Sequence, residues 1–315
     1  MAHELTSRKN GFIEFASLGA RSETWHKLGQ YLPEGQSIEQ WQVAAGMDWK
    51  IYESTMRYQT PDGITADPSR KVLYRSDGFD VLGVVSDEYH VVQPKEVLEF
   101  FREFTELNQM KLSAAGTLFG GKRFWAIAEL DKTAEIVPGD AINGFLLLTT
   151  SADGTLSTQA KFTSTRVVCN NTLTVALSEK GKVVRKTHAS QFDAKEFKVD
   201  LGLIDSGWDK FVTNLKDLAS QKVSDDFAKE FFAKLTAPKG KTTIGAERTV
   251  DALMHFYQKG AGSEMHYGSK WGVLNAVTEM QTHGTFRTAR DRQFDKSEFG
   301  TGDKLKTLTY LELVA

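Results

Sequence analysis

The chain has 315 residues, 40% of them hydrophobic and 25% charged, which is enough to bury one sizeable core. Its 39 basic and 41 acidic side chains leave a formal charge of -2, which excludes the global basic excess of a duplex-DNA binder, so any nucleic-acid contact has to come from a local patch. A single cysteine excludes an intramolecular disulfide and a multi-cysteine zinc site, and no run approaches the roughly 18 apolar residues of a membrane span. With no basic-then-apolar leader at the start, a cytoplasmic protein without membrane contact is expected.

Residues 1–36 carry Gly11, Gly19, Gly29 and Gly35 among polar residues, with apolar anchors at Phe12, Ile13, Phe15, Trp25 and Leu28. They read as an irregular arm that stays ordered only by docking on its own core or on a neighbouring subunit. Ser37 to Gly46 has the marks of a short helix: Ser37 can cap it, Glu39 lies in the first turn, and Trp41, Ala44 and Ala45 share a side. From Trp49 the period changes to two. Lys50–Tyr58, Lys71–Arg75, Phe79–Ser86 and Tyr89–Gln93 read as four short strands of an antiparallel meander, with turns at Pro61-Asp62-Gly63 and Ser76-Asp77-Gly78. Pro94 suits a first helical turn, and Val97, Leu98, Phe100, Phe101 and Phe104 recur at helical spacing through residue 106.

Leu112–Leu118, Gly120-Gly121 and Arg123–Leu130 make a clear hairpin signal, the glycine pair being free to take positive φ. Pro138-Gly139-Asp140 turns the chain, Phe145–Thr150 is expected at the centre of a sheet, and Asp153-Gly154 leads into Leu156–Phe162. The stretch from Lys161 to Leu177 then joins this strand to a helix expected over Asn171–Ser178 and ended by Gly181. Beyond residue 190 helical stripes dominate: Trp208–Ala219, Phe227–Leu235, Val250–Tyr257 and Trp271–Thr278, with Pro238–Thr243 as a basic linker. The fold class read from these elements is α+β. An arm covers 1–36, a core domain with a largely antiparallel or mixed sheet and packed helices covers 37–190, and a mainly helical C-terminal region covers 191–315.

Seven histidines are dispersed, with no pair at i, i+4 and no His-Glu-x-x-His, so no metal site is expected. The scattered acids single out no catalytic pair. Gly116 to Lys122 looks superficially like a phosphate loop but lacks Ser or Thr after the lysine and reads as a hairpin turn, so neither nucleotide hydrolysis nor a cofactor is expected. Cys169 sits among Val167, Val168 and Leu173, which points to a buried thiol rather than a nucleophile. What stands out is charge. From Thr155 to Ser190 the acids reduce to Glu179, while Lys161, Arg166, Lys180, Lys182, Arg185 and Lys186, with His188, make a basic surface suited to a phosphate backbone. For the lysines the competing reading is a solvated face. Arg166 is expected to be held in place, with Thr165, Cys169, Asn170 and Asn171 as the recognition or structural network around it.

Several motifs recur in order along most of the chain: Met-Ala-His-Glu-Leu at its start, Trp25-His-Lys-Leu-Gly29, Leu82-Gly-Val-Val85 leading to Tyr89 and Gln93, Ala115-Gly-Thr-Leu-Phe-Gly-Gly-Lys-Arg123 before Trp125, Thr163-Ser-Thr-Arg-Val-Val-Cys-Asn-Asn-Thr-Leu173, and Trp271-Gly-Val-Leu-Asn-Ala-Val-Thr-Glu279. With them the chain resembles the uncharacterised phage/plasmid-like protein family of bacteriophages, prophages and conjugative plasmids. It departs at Ser164 and Asn170, where that family often has proline and glutamine. The resemblance implies mobile-element biology inside a bacterial host cell and carries no catalytic residues. Together with the basic stretch it gives the expectation of a non-catalytic DNA-metabolism accessory that binds or anneals single-stranded DNA, as an oligomer of itself, in a setting such as recombination. The alternative is an interaction protein that counters a host defence or modulates a host enzyme.

Overall fold

The computed structural model describes residues 5–19, 28–107, 109–166, 172–174, 184–189, 205–237, 243–284, 296–297 and 300–315. In chain order they form β1 (Phe15–Leu18), β2 (Gln30–Leu32), α1 (Ile38–Ala44), β3 (Ile51–Thr60), β4 (Gly63–Arg75), β5 (Val81–Ser86), α2 (Pro94–Glu106) and β6 (Met110–Leu118). A 3-10 turn at Phe119–Gly121 leads to β7 (Arg123–Val137), β8 (Asp140–Ser151), β9 (Thr158–Arg166), β10 (Thr172–Thr174) and β11 (Val184–Lys186). The helices α3 (Asp205–Ser220), α4 (Asp225–Thr236), α5 (Ile244–Lys259), α6 (Ser263–His266), α7 (Lys270–His283) and α8 (Thr301–Val314) follow. The architecture is α+β. An 8-stranded mixed sheet has the order β10-β9-β8-β7-β6-β1-β2, with β11 also on β9, and a separate antiparallel sheet has the order β3-β4-β5. Among the described residues only β1 and β2 run parallel.

Local chemistry sets the element ends. Ser37 accepts from the Gln40 amide while the Gln40 side chain accepts from the Ser37 N–H, a reciprocal cap that starts α1. At α2 the Glu96 side chain accepts from the Gln93 N–H, and Pro94 fills the first turn, where no N–H is needed. The β6–β7 hairpin turns at Gly120 and Gly121, whose φ angles of 73° and 91° suit glycine.

Alternation along the strands then decides the packing. Phe124, Ala126 and Ala128 of β7 and Leu146 and Leu148 of β8 join Val97, Leu98 and Phe101 of α2 and Phe211 and Leu215 of α3 in one buried cluster. Each large side chain so buried is worth about 1.5–3 kcal/mol. The intervening positions Trp125 and Leu147 form a smaller cluster with Phe15 and Leu118. Helix α7 is buried from Trp271 through Gln281, and its Trp271 indole N–H donates to Asp140 at 2.9 Å, pinning the helix to the start of β8. Among the described residues no helix is long and apolar enough to cross a membrane.

Two local expectations are corrected. Tyr89–Gln93 is not a strand: the Tyr89 hydroxyl donates to Ser151 O at 2.7 Å and Gln93 caps α2, so side chains rather than a ladder fix the segment. Thr172–Thr174, expected at the start of a helix, is β10 and pairs antiparallel with Thr163–Thr165, as alternating β-branched residues favour. The rest of that expected helix lies outside the described residues. The arm docks on its own core, adding β1 to β6 and carrying β2 on β1.

Candidate functional site

Strand register brings part of the expected basic stretch to one edge of the large sheet. On the side of β9 away from β8, Thr163–Thr165 pair with β10 and Thr158–Ala160 pair with β11. Thr174 lies opposite Thr163 and Val184 opposite Ala160, so β10 and β11 follow one another along β9 with only Lys161 and Phe162 between them. Arg166 ends β9 opposite Ile142. Arg185 is exposed opposite Gln159, and Lys186 is half-buried opposite Thr158. The backbone of Thr165 pairs with Asn143 and Thr172. Cys169, Asn170, Asn171, Lys180 and Lys182 lie outside the described residues.

Two expected members of the basic surface are not on it. Lys161 is 2% exposed, and its Nζ lies 3.2 Å from Asp303 Oδ2 of α8. It shares its face of β9 with Gln159 and Thr163, which are buried too, so alternation placed it on a covered face. His188 is buried, stacks on Tyr89 with ring centroids 4.3 Å apart, and faces the carbonyls of His90 and Leu156 at 3.0 and 3.2 Å. Burial lowers its pKa against the opposing pull of those two carbonyls, which favours the neutral ring.

The densest polar cluster among the described residues lies elsewhere, at Glu14 and Arg75, which sequence reasoning missed. Glu14 is fully buried and Arg75 is 4% exposed. Arg75 Nη1 and Nη2 donate to the two Glu14 oxygens at 3.1 and 2.5 Å, and its Nε and Nη2 donate to Asp77 at 2.9 and 2.8 Å. Arg75 Nη1 also reaches Gly120 O at 3.3 Å, and the guanidinium lies over the Trp49 ring at 4.1 Å. Arg8 donates to Glu14 and Asp48, both at 2.7 Å, and to Gly46 O at 3.0 Å. The Thr117 hydroxyl donates to Glu14 as well. Burial by itself lowers the Arg75 pKa, but the bonds and charges of Asp77 and Glu14 outweigh it and the net shift is upward. The Arg75 bonds hold Asp77 below its usual value. With every Arg75 N–H engaged, this guanidinium is a clamp between the arm, β4 and the β6–β7 turn rather than a ligand site.

The network also accounts for glycines in the quoted motifs. A Cβ on Gly116 would lie 2.6 Å from Glu14 O, and one on Gly121 would lie 2.7 Å from Arg75 Nη1 and 2.8 Å from Trp49. Above the clamp an open cleft of about 710 Å³ is lined by Arg8, Lys9, Asp77, Phe119 and Lys122. The sequence signal was a lone acid inside the apolar tetrad Phe12-Ile-Glu-Phe15. Among the described residues no group of three or more His, Cys, Asp or Glu is placed to hold a metal ion.

A mixed sheet packed with helices, with an edge bearing cations and an N-terminal segment clamped by buried ion pairs, defines an α+β protein. Residues 81–299 match the family described as Domain of unknown function (DUF932), and the chain belongs to that family. No curated protein and no solved structure matches it. The clamp links Arg8, Glu14, Arg75 and Asp77, outside the matched residues, to Thr117 and Gly120 within them.

Proposed function

We propose that the chain is a non-catalytic DNA-metabolism accessory that binds single-stranded DNA along the sheet edge that β10 and β11 form on β9. The observation that carries this reading is the register. Arg166 at one end of β9 and Arg185 and Lys186 of β11 at the other all fall at one side of the large sheet. From Gln159 to Arg166 that edge spans roughly 23 Å at about 3.3 Å per residue, room for roughly four phosphates of an extended strand. Only Glu179 opposes the cations between Thr155 and Ser190. The resemblance to phage/plasmid-like proteins supports a setting in mobile-element DNA metabolism.

The test is fluorescence anisotropy of a labelled oligonucleotide. With four phosphate contacts, affinity falls roughly fifty-fold between about 50 and 200 mM salt. Arg166→Ala with Arg185→Ala weakens binding and flattens that slope. An absence of binding at low salt refutes the proposal. A second reading, an interaction protein directed at a host factor, is favoured by the outer face of the three-stranded sheet, where Tyr52, Phe79, Val81 and Val84 are all exposed. It predicts a protein partner that is retained after nuclease treatment.

A further inference from the structure

Strand β3 is an edge strand, with β4 on one side and no strand on the other among the described residues. Which of its backbone groups face the open side follows from both of its ends. At the start, Gln93 Oε1 accepts from the Ile51 N–H at 2.8 Å, and Gln93 Nε2 donates to Ile51 O at 3.1 Å, so the polar groups of Ile51 point away from β4. At the far end Thr60 and Gly63 flank the turn at Pro61-Asp62 and face each other across the pair. Both ends give the same parity: the N–H and C=O groups of Glu53, Thr55 and Arg57 point to the open edge.

Natural edges are blunted by lysine, proline or a bulge. From Tyr52 to Gln59 β3 has no lysine and no proline. The register shift beside it, from Thr55↔Lys71 to Met56↔Asp67, takes its extra residues from β4. All of these β3 residues except the half-buried Met56 are exposed. Gln93 covers the first position of the edge, and among the described residues no strand pairs with the rest.

The side chains select what closes it. Antiparallel self-pairing about a twofold axis at Thr55 sets Thr55 against Thr55, Glu53 against Arg57 twice, and Tyr52 against Tyr58 twice. Shifting the axis to Glu53 or Arg57 sets a charge against its own copy, which is unfavourable. Arg57 makes no ion pair among the described residues, while Glu53 meets Lys71 at 2.9 Å from its own chain. We propose that β3 pairs with β3 of a second copy in the register centred on Thr55, joining two three-stranded sheets across a twofold axis. The pairing stands independently of any nucleic-acid binding.

Sedimentation velocity on the full chain without nucleic acid tests it. The wild type is a dimer. Arg57→Glu, which faces Glu53 of the second copy, weakens it at least tenfold, and the charge swap Glu53→Arg with Arg57→Glu restores it. Thr55→Pro gives a folded monomer by circular dichroism, because the Thr55 N–H faces away from β4 and an outward proline is tolerated on an edge. In a hydrogen-bonded antiparallel pair the Cα atoms are about 5.5 Å apart, within reach of a disulfide. Oxidised Thr55→Cys chain therefore yields a covalent dimer whose linked peptide, mapped by mass spectrometry, joins the two copies of position 55. A wild type monomeric at tens of micromolar, or a dimer unmoved by Arg57→Glu and lacking that peptide, overturns the proposal.

Discussion

Glu14→Gln is the sharpest probe of what holds the N-terminal segment in place. The substitution keeps the size of the side chain and removes its charge from a fully buried position that accepts from Arg75, Arg8 and Thr117. Arg75 is 4% exposed and keeps only Asp77 as a carboxylate partner. Removing one member of a buried pair costs about 3–5 kcal/mol, because the other charge is left without full compensation. In a chain of this length that corresponds to a fall in Tm of roughly 5–8 °C. Urea titration and a thermal melt followed by circular dichroism read the loss directly. Asp48→Asn is the control: its side chain is 44% exposed, and loss of its contact with Arg8 costs about 1 kcal/mol or less. Glu14→Gln combined with Arg75→Met costs less than the sum of the two single changes, since both act on one network. A Glu14→Gln loss below about 1 kcal/mol, or strict additivity in the double variant, refutes the clamp.

Two further outcomes are expected. Gly121→Ala destabilises at least about twice as much as Gly120→Ala. Both positions have positive φ, but only the Cβ at Gly121 strikes Arg75 and Trp49, the space around Gly120 being empty within 4 Å; paired urea titrations measure the difference. His188 gives stability a pH slope. Burial lowers its folded pKa below the ordinary histidine value of 6.5, so as pH falls past that value the unfolded chain takes up a proton before the folded one does. Stability is therefore full above 6.5 and declines as pH falls towards the lowered folded value. His188→Gln flattens the Tm profile between about pH 7.5 and about pH 5, and an unchanged slope there contradicts the assignment.

The sequence was legible where contacts are local. Ser37 with Gln40, Pro94 at a helix start, Gly120-Gly121 in a hairpin and the helical stripes from Trp208 onwards need only residues a few positions apart, and the structure places those elements there. The reading failed where a local pattern is neutral between outcomes. Thr172–Thr174 is compatible with a helix start by composition, but its partners are Thr163–Thr165 across a sheet edge. Tyr89 and Gln93 look like strand residues until their polar ends find Ser151 and Ile51.

By itself, then, the sequence determined the α+β character, most element positions and the concentration of cations between Lys161 and Lys186. Periodicity, caps and composition are properties of neighbouring residues. Only the tertiary structure decided which of those cations meet water. β-strand alternation assigns Lys161 to a face but is silent on what covers that face, and Asp303 comes from a helix at the far end of the chain. The pairing of Glu14 with Arg75, 61 positions apart, was equally out of reach. Nothing local distinguishes a carboxylate that stays in water from one whose burial is offset by a guanidinium arriving from another strand.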